Sequence, residues 1–130
     1  MSALVVDDRD HLLLGRRAVE PDARLWDTLG GFLEEGEHPL DALRRELREE
    51  TGLSVEPGPF VGVFMDTYGE GDDAPAVLNL VWEATAGPGE PTAADDVTEL
   101  RWFARDDLPP DAEIAFRWLA PCLRAWAAKD

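Results

Sequence analysis

The sequence predicts one mixed α/β domain, and three observations carry that expectation. Short apolar runs of strand length lie on both sides of a strongly periodic helix, and a second helical pattern closes the chain. The 130 residues suit a single domain, since domains cluster at roughly 100–150 residues. No internal repeat, linker or low-complexity stretch divides the chain, so one domain is expected over residues 1–130.

Each element has its own signal. Apolar runs at residues 4–6 and 12–14 flank Asp7-Asp8-Arg9-Asp10-His11 and read as a β-hairpin. The polar stretch 16–24 reads as a loop, and Leu25-Trp26-Asp27-Thr28-Leu29 as a short strand stopped by Gly30-Gly31. Residues 39–51 are helical: Pro39 suits a first turn, Leu40, Leu43 and Leu47 recur at helical spacing, and Gly52 sits where a C-terminal glycine belongs. Residues 60–65, 76–82 and 100–103 have strand composition. A last helix is expected over 114–128, where Ile114, Trp118, Leu119, Cys122 and Trp126 fall in phase behind Leu108-Pro109-Pro110-Asp111. That phase assigns Trp118 and Trp126 to the core; Trp82, Trp102 and Phe103 are expected there too.

Charge excludes several classes of partner. The chain carries 28 acidic and 12 basic residues, a net charge of −16, with Lys129 its one lysine. Polyanions and anionic membranes require a basic face, so neither a nucleic-acid polymer nor a membrane is an expected partner. Cys122 is the lone cysteine, which rules out a disulfide framework and favours a reducing, cytoplasmic setting. The first residues lack a basic segment followed by a long apolar run, so no signal peptide or membrane span is expected. Most of the acidic residues read as solvating surface.

The first helix holds the exception. At about 100° per residue, with Leu40 at zero, Glu49, Glu46 and Glu50 fall at about 180°, 240° and 280°, beside the buried face and mostly away from the arginines. Like charges at such spacing repel, and Glu50 in the last turn also opposes the helix dipole. Hard divalent cations choose such oxygens. On the helix alone, metal binding competes with a solvated face in which Arg45 bridges to Glu49 at i,i+4.

The surrounding residues narrow the choice. Gly31, five residues, Glu37, seven residues, then Arg45-Glu46-Leu47-Arg48-Glu49-Glu50-Thr51-Gly52-Leu53 agrees at all nine specified positions with the signature of the Nudix hydrolases. The chain thus resembles that family, strictly from Gly31 to Leu53 and more loosely over most of its length.

The resemblance implies a fold, an activity and a site. The fold would be a mixed β-sheet sandwiched between α-helices (α/β/α). The activity would be divalent-metal-dependent hydrolysis of a pyrophosphate bond in a nucleoside diphosphate linked to another moiety, ADP-ribose or a dinucleotide before a nucleoside triphosphate. A nucleotide-binding regulatory domain without turnover, and more remotely a diphosphate isomerase, stay open. By similarity Glu46, Glu49 and Glu50, with the Gly30 carbonyl, would hold Mg²⁺ or Mn²⁺. Arg45 would orient the carboxylates, braced by an ion pair to Glu37, while Gly31 and Gly52 would serve a tight turn and a helix end. Asp95, Asp96 and Glu99 are candidates for the general base, against a plain polar turn. Arg16 and Arg17 are candidate phosphate contacts, and Trp26, Phe32 and Tyr68 candidate stacking faces for a base. Glu34 and Glu35 are expected to be solvated. The NADH pyrophosphatase signature that follows the box in some members is absent here, and the family resemblance leaves a homodimer open.

Overall fold

Period-two alternation sorts the first apolar residues onto two faces. In the computed structural model, which describes residues 1–129, β1 (Ser2–Val6) and β2 (Leu12–Arg17) send Leu4, Leu12 and Leu14 to one core and Ala3, Val5 and Leu13 to another. Strands buried on both faces must lie mid-sheet with a layer on each side. Helix α1 (Pro39–Thr51) supplies one layer through Ala42, Leu43 and Leu47. Helix α2 (Leu119–Ala127) supplies the other through Leu119, Cys122, Leu123 and Trp126.

The remaining strands are β3 (Trp26–Asp27), β4 (Leu29–Gly30), β5 (Val55–Thr67), β6 (Ala76–Ala86) and β7 (Val97–Phe103). The sheet runs β3-β2-β1-β6-β5, with β4 paired to β1 and β7 to β2. Only the β1–β6 pair among them is parallel, so the sheet is mixed, as expected. Among the described residues no helix is long and apolar enough to cross a membrane.

Helix α1 begins and ends where its residues dictate. Pro39 occupies the first turn, the His38 side chain accepts the Leu40 N–H at 3.2 Å, and Gly52 closes the helix with φ 74°, its N–H donating to the Arg48 carbonyl. That left-handed terminus favours glycine.

Four expectations change. The loop expected from residue 16 starts later, because Arg16 and Arg17 continue β2 and pair with β7. The strand expected over 25–29 divides at Thr28: β3 pairs with β2 and β4 with β1, so the chain changes neighbours there. Strands β5, β6 and β7 outrun the apolar cores that announced them, β5 passing Pro57 and Pro59 through register shifts that an edge strand tolerates. Finally, α2 starts at Leu119 and not at 114. Ile114 instead bridges to Trp26, the Ala115 N–H donates to the Trp26 carbonyl at 2.8 Å, and Phe116 takes φ 60°. Ile114 and Trp118 still join the core, as their phase predicts, although neither lies in the helix. Phe103 and Trp126 are buried as expected, whereas Trp82 and Trp102 are half-buried against the α1-side core.

Candidate active site

The Gly30-Gly31 turn lays the end of β4 against the second half of α1. There the Gly30 N–H donates to Glu50 Oε1 at 2.9 Å. A Cβ on Gly31 would lie 2.7 Å from the Glu46 carboxyl carbon, so the absence of a side chain is what lets the turn and Glu46 meet. The three helix carboxylates therefore differ in environment. Glu50 is 8% exposed, whereas the side chains of Glu46 and Glu49 are 20% and 45% exposed.

Burial pushes the Glu50 carboxyl up to about 8; the Gly30 N–H opposes this, and the neighbouring Glu46, Asp27 and Asp96 charges add to it. Glu46 is raised as well, chiefly by burial. These are sites where a positive charge would be welcome.

Arg45 supplies one. The wheel turned it away from the acidic stripe, but its long side chain folds back. Its Nε and Nη2 meet Glu37 Oε2 and Oε1 at 2.8 and 2.9 Å, and Nη1 reaches Glu46 Oε1 at 3.1 Å and Glu49 Oε2 at 3.3 Å. The pair holds the Glu37 carboxyl below its ordinary range and raises Arg45 further. Glu34 lies 3.7 Å from Arg45 with its side chain 72% exposed, and Glu35 is exposed, both in keeping with solvated positions.

Around this helix opens a cleft of about 1150 Å³, and most of the expected site residues line it. Gly30, Arg45, Glu46, Glu49 and Glu50 form its acidic end. Asp95 and Asp96 belong to the same cleft, close enough that Asp95 acts on Glu46 and Asp96 on Glu50. Arg16, Arg17, Phe32 and Tyr68 also reach it.

Two expected residues do not line it. Trp26 is 2% exposed and edge-on to Phe103 at 5.0 Å, with the Arg16 guanidinium 4.2 Å from its ring; it is core and has no face free for a base. Glu99 is not among the lining residues and accepts from Arg16 Nε at 2.9 Å on the neighbouring strand. Arg17 lines the cleft with its Nε, Nη1 and Nη2 bonded to the Pro21 carbonyl, Asp27 Oδ2 and the Tyr68 hydroxyl.

Asp27 and Phe116 also line the cleft and were not foreseen. A lone carboxylate inside the apolar stretch Leu25-Trp26-Asp27-Thr28-Leu29 was a signal for the first. Phe116 was hidden inside the expected helix.

The donor set suits a hard cation: carboxylate oxygens, one of them desolvated and held by a backbone amide. Among the described residues no three such side chains converge on one point, Glu46 and Glu49 being drawn to Arg45. Glu46, Glu49 and Glu50 are the groups that would hold such an ion.

A mixed sheet between two helices, with a glutamate-rich helix set behind a glycine turn, defines a class of α/β/α domain with an acidic cleft. The NUDIX domain family model matches residues 1–122, and the chain belongs to that family. It is 33% identical over 107 residues to the NAD-capped RNA hydrolase NudC of Mycobacterium tuberculosis, covering 81% of this chain and 32% of that protein. It is 30% identical over 105 residues to the ADP-ribose pyrophosphatase of Methanocaldococcus jannaschii, covering 81% of this chain and 61% of that one. The chain thus spans about a third of the mycobacterial relative's length and under two thirds of the archaeal one's. A MutT NUDIX hydrolase from Burkholderia pseudomallei superposes with a TM-score of 0.78 at 27% identity, over 97% of this chain and 92% of that one.

Proposed function

We propose that this protein hydrolyses the pyrophosphate bond of a nucleoside diphosphate linked to another moiety, of the ADP-ribose or dinucleotide kind, with Mg²⁺ or Mn²⁺ held by Glu46, Glu49 and Glu50. The observation that carries the reading is Glu50, desolvated at the end of a cleft that also holds Glu46, Glu49 and Asp96. The archaeal relative's name supports ADP-ribose.

A divalent ion at these oxygens would offset phosphate charge and acidify an attacking water. The chain's own residues set the rest. The Gly30 N–H fixes which Glu50 oxygen is engaged, leaving Oε2 for the cleft. Arg45, anchored by Glu37, orients Glu46 and Glu49. Asp95 or Asp96 takes the proton of the attacking water at a carboxylate oxygen; Glu99, paired with Arg16, is set aside. The test is Mg²⁺-dependent product release from ADP-ribose, diadenosine polyphosphates, NADH and nucleoside triphosphates, with Glu50→Gln alongside. Turnover of the diphosphate-linked compounds, lost in Glu50→Gln, supports the reading; tight binding without turnover across the panel supports a nucleotide sensor instead.

A further inference from the structure

Beside the glutamate cleft lies a second cavity of about 1090 Å³, and Asp66, Thr67 and Phe116 line both. The partition between them includes residues 115–118, just ahead of α2. Each residue of that segment is fastened through its amide. The Ala115 N–H donates to the Trp26 carbonyl and the Phe116 N–H to Asp22 Oδ2, both at 2.8 Å. The N–H groups of Arg117 and Trp118 donate to Asp66 Oδ2 at 2.9 and 3.3 Å, while Asp66 Oδ1 accepts the Thr67 N–H at 2.7 Å. The Asp66 side chain is only 9% exposed, so one buried carboxylate ties the end of β5 to the segment.

These bonds hold Phe116 at φ 60°, a conformation that bulky residues avoid. Such an outlier persists only where its surroundings over-determine it. The Phe116 ring packs against Tyr68 with centroids 6.0 Å apart, and the Arg17 guanidinium lies 4.8 Å from it. With those neighbours in place, what the ring offers the cleft is fixed bulk. A ligand held by its phosphates at the glutamates has the rest of the cleft for its other moiety, as far as this partition.

We propose that Phe116 is a specificity-determining residue that limits the length of ligand the cleft accepts, and that Asp66 is a positioning residue that holds it as the stop. The inference rests on the nucleoside diphosphate reading above and deepens it, because the stop selects the shorter members of that class. A misfit of even one methylene group in a fixed pocket is worth about tenfold or more. A ring anchored on both sides of its own backbone has little room to yield to a longer ligand.

The experiment measures calorimetric binding and turnover of ADP-ribose, diadenosine triphosphate and diadenosine pentaphosphate with Mg²⁺, on the full chain as wild type, Phe116→Gly, Asp66→Ala and Asp66→Asn. Wild type should favour ADP-ribose over the pentaphosphate by about tenfold or more. Phe116→Gly removes the ring and takes φ 60° without strain, so the pentaphosphate should gain about tenfold, which a folding defect would not allow. Asp66→Ala should level the series in the same way. Asp66→Asn should restore the preference, because its carbonyl oxygen can still accept both amides of the segment. The proposal is overturned if wild type binds the three lengths alike, if Phe116→Gly or Asp66→Ala keeps the preference, or if Asp66→Asn levels the series as Asp66→Ala does. Length-dependent binding without hydrolysis of any of the three would sink the hydrolase reading and keep the stop. Hydrolysis with length-independent binding would do the reverse, and binding of none would overturn both.

Discussion

Single side chains in this cleft are held in place by charged partners. The Glu37–Arg45 pair is the clearest case, because Arg45 has one bidentate anchor and two carboxylates to orient. Both Glu37→Gln and Arg45→Met should therefore lower activity, and the double variant should fall no further than the worse single one. Additive losses in kcat/KM would show that the pair does not act as a unit. Cys122 carries a different prediction. It is 5% exposed, and burial pushes its thiol from 9.0 to about 11. The native protein at pH 8 should react with a thiol reagent only after unfolding. Because the folded value lies above the unfolded one, the associated stability is fully present below pH 9 and is lost as pH rises toward about 11. The Tm advantage of wild type over Cys122→Ala should narrow across that window; a constant gap would contradict the burial argument. The box glutamates, Arg45 and Glu37 were legible in the sequence because their spacing is local to one helix and its loop. Asp27, Trp26 and Phe116 were not, since what they do depends on pairing with Arg17, Phe103 and Tyr68 on other segments of the fold.

Elements place these side chains, and the box turn is the most exacting of them. Gly31→Ala puts a methyl group 2.7 Å from the Glu46 carboxyl carbon, which must then swing away from the turn. A displacement near 1 Å at a catalytic group costs on the order of 100-fold, so kcat should fall by about that factor while the far-UV circular dichroism of the variant stays native. Unchanged kcat would show that Glu46 need not pack against the turn. Helix α1 was read in full from its leucines, Pro39 and Gly52, all of which act within the helix. The start of α2 was not, because Ile114 to Trp118 follow helical phase yet are held by long-range bonds to Trp26, Asp22 and Asp66. The two-residue strands β3 and β4 were merged for a similar reason: the change of partner at Thr28 leaves no trace in local pattern.

At the scale of the whole molecule, the charge of −16 repels the phosphorylated ligand that the cleft is proposed to take. Only a cation at the acidic end reconciles the two. The fold class was legible from element order and the family from one 23-residue segment, Gly31 to Leu53, while the cleft is lined by residues from all seven strands, helix α1 and several loops, which no local pattern joins. The most direct measurement of the central claim is hydrolysis of ADP-ribose as free Mg²⁺ is titrated, in wild type and Glu50→Gln, followed by excess EDTA. Wild-type turnover should rise with the cation and vanish with the chelator. Glu50→Gln should fall by roughly two orders of magnitude, the scale of losing several kcal/mol of charge stabilisation. Full turnover in EDTA, or a Glu50→Gln variant as active as wild type, would contradict the account.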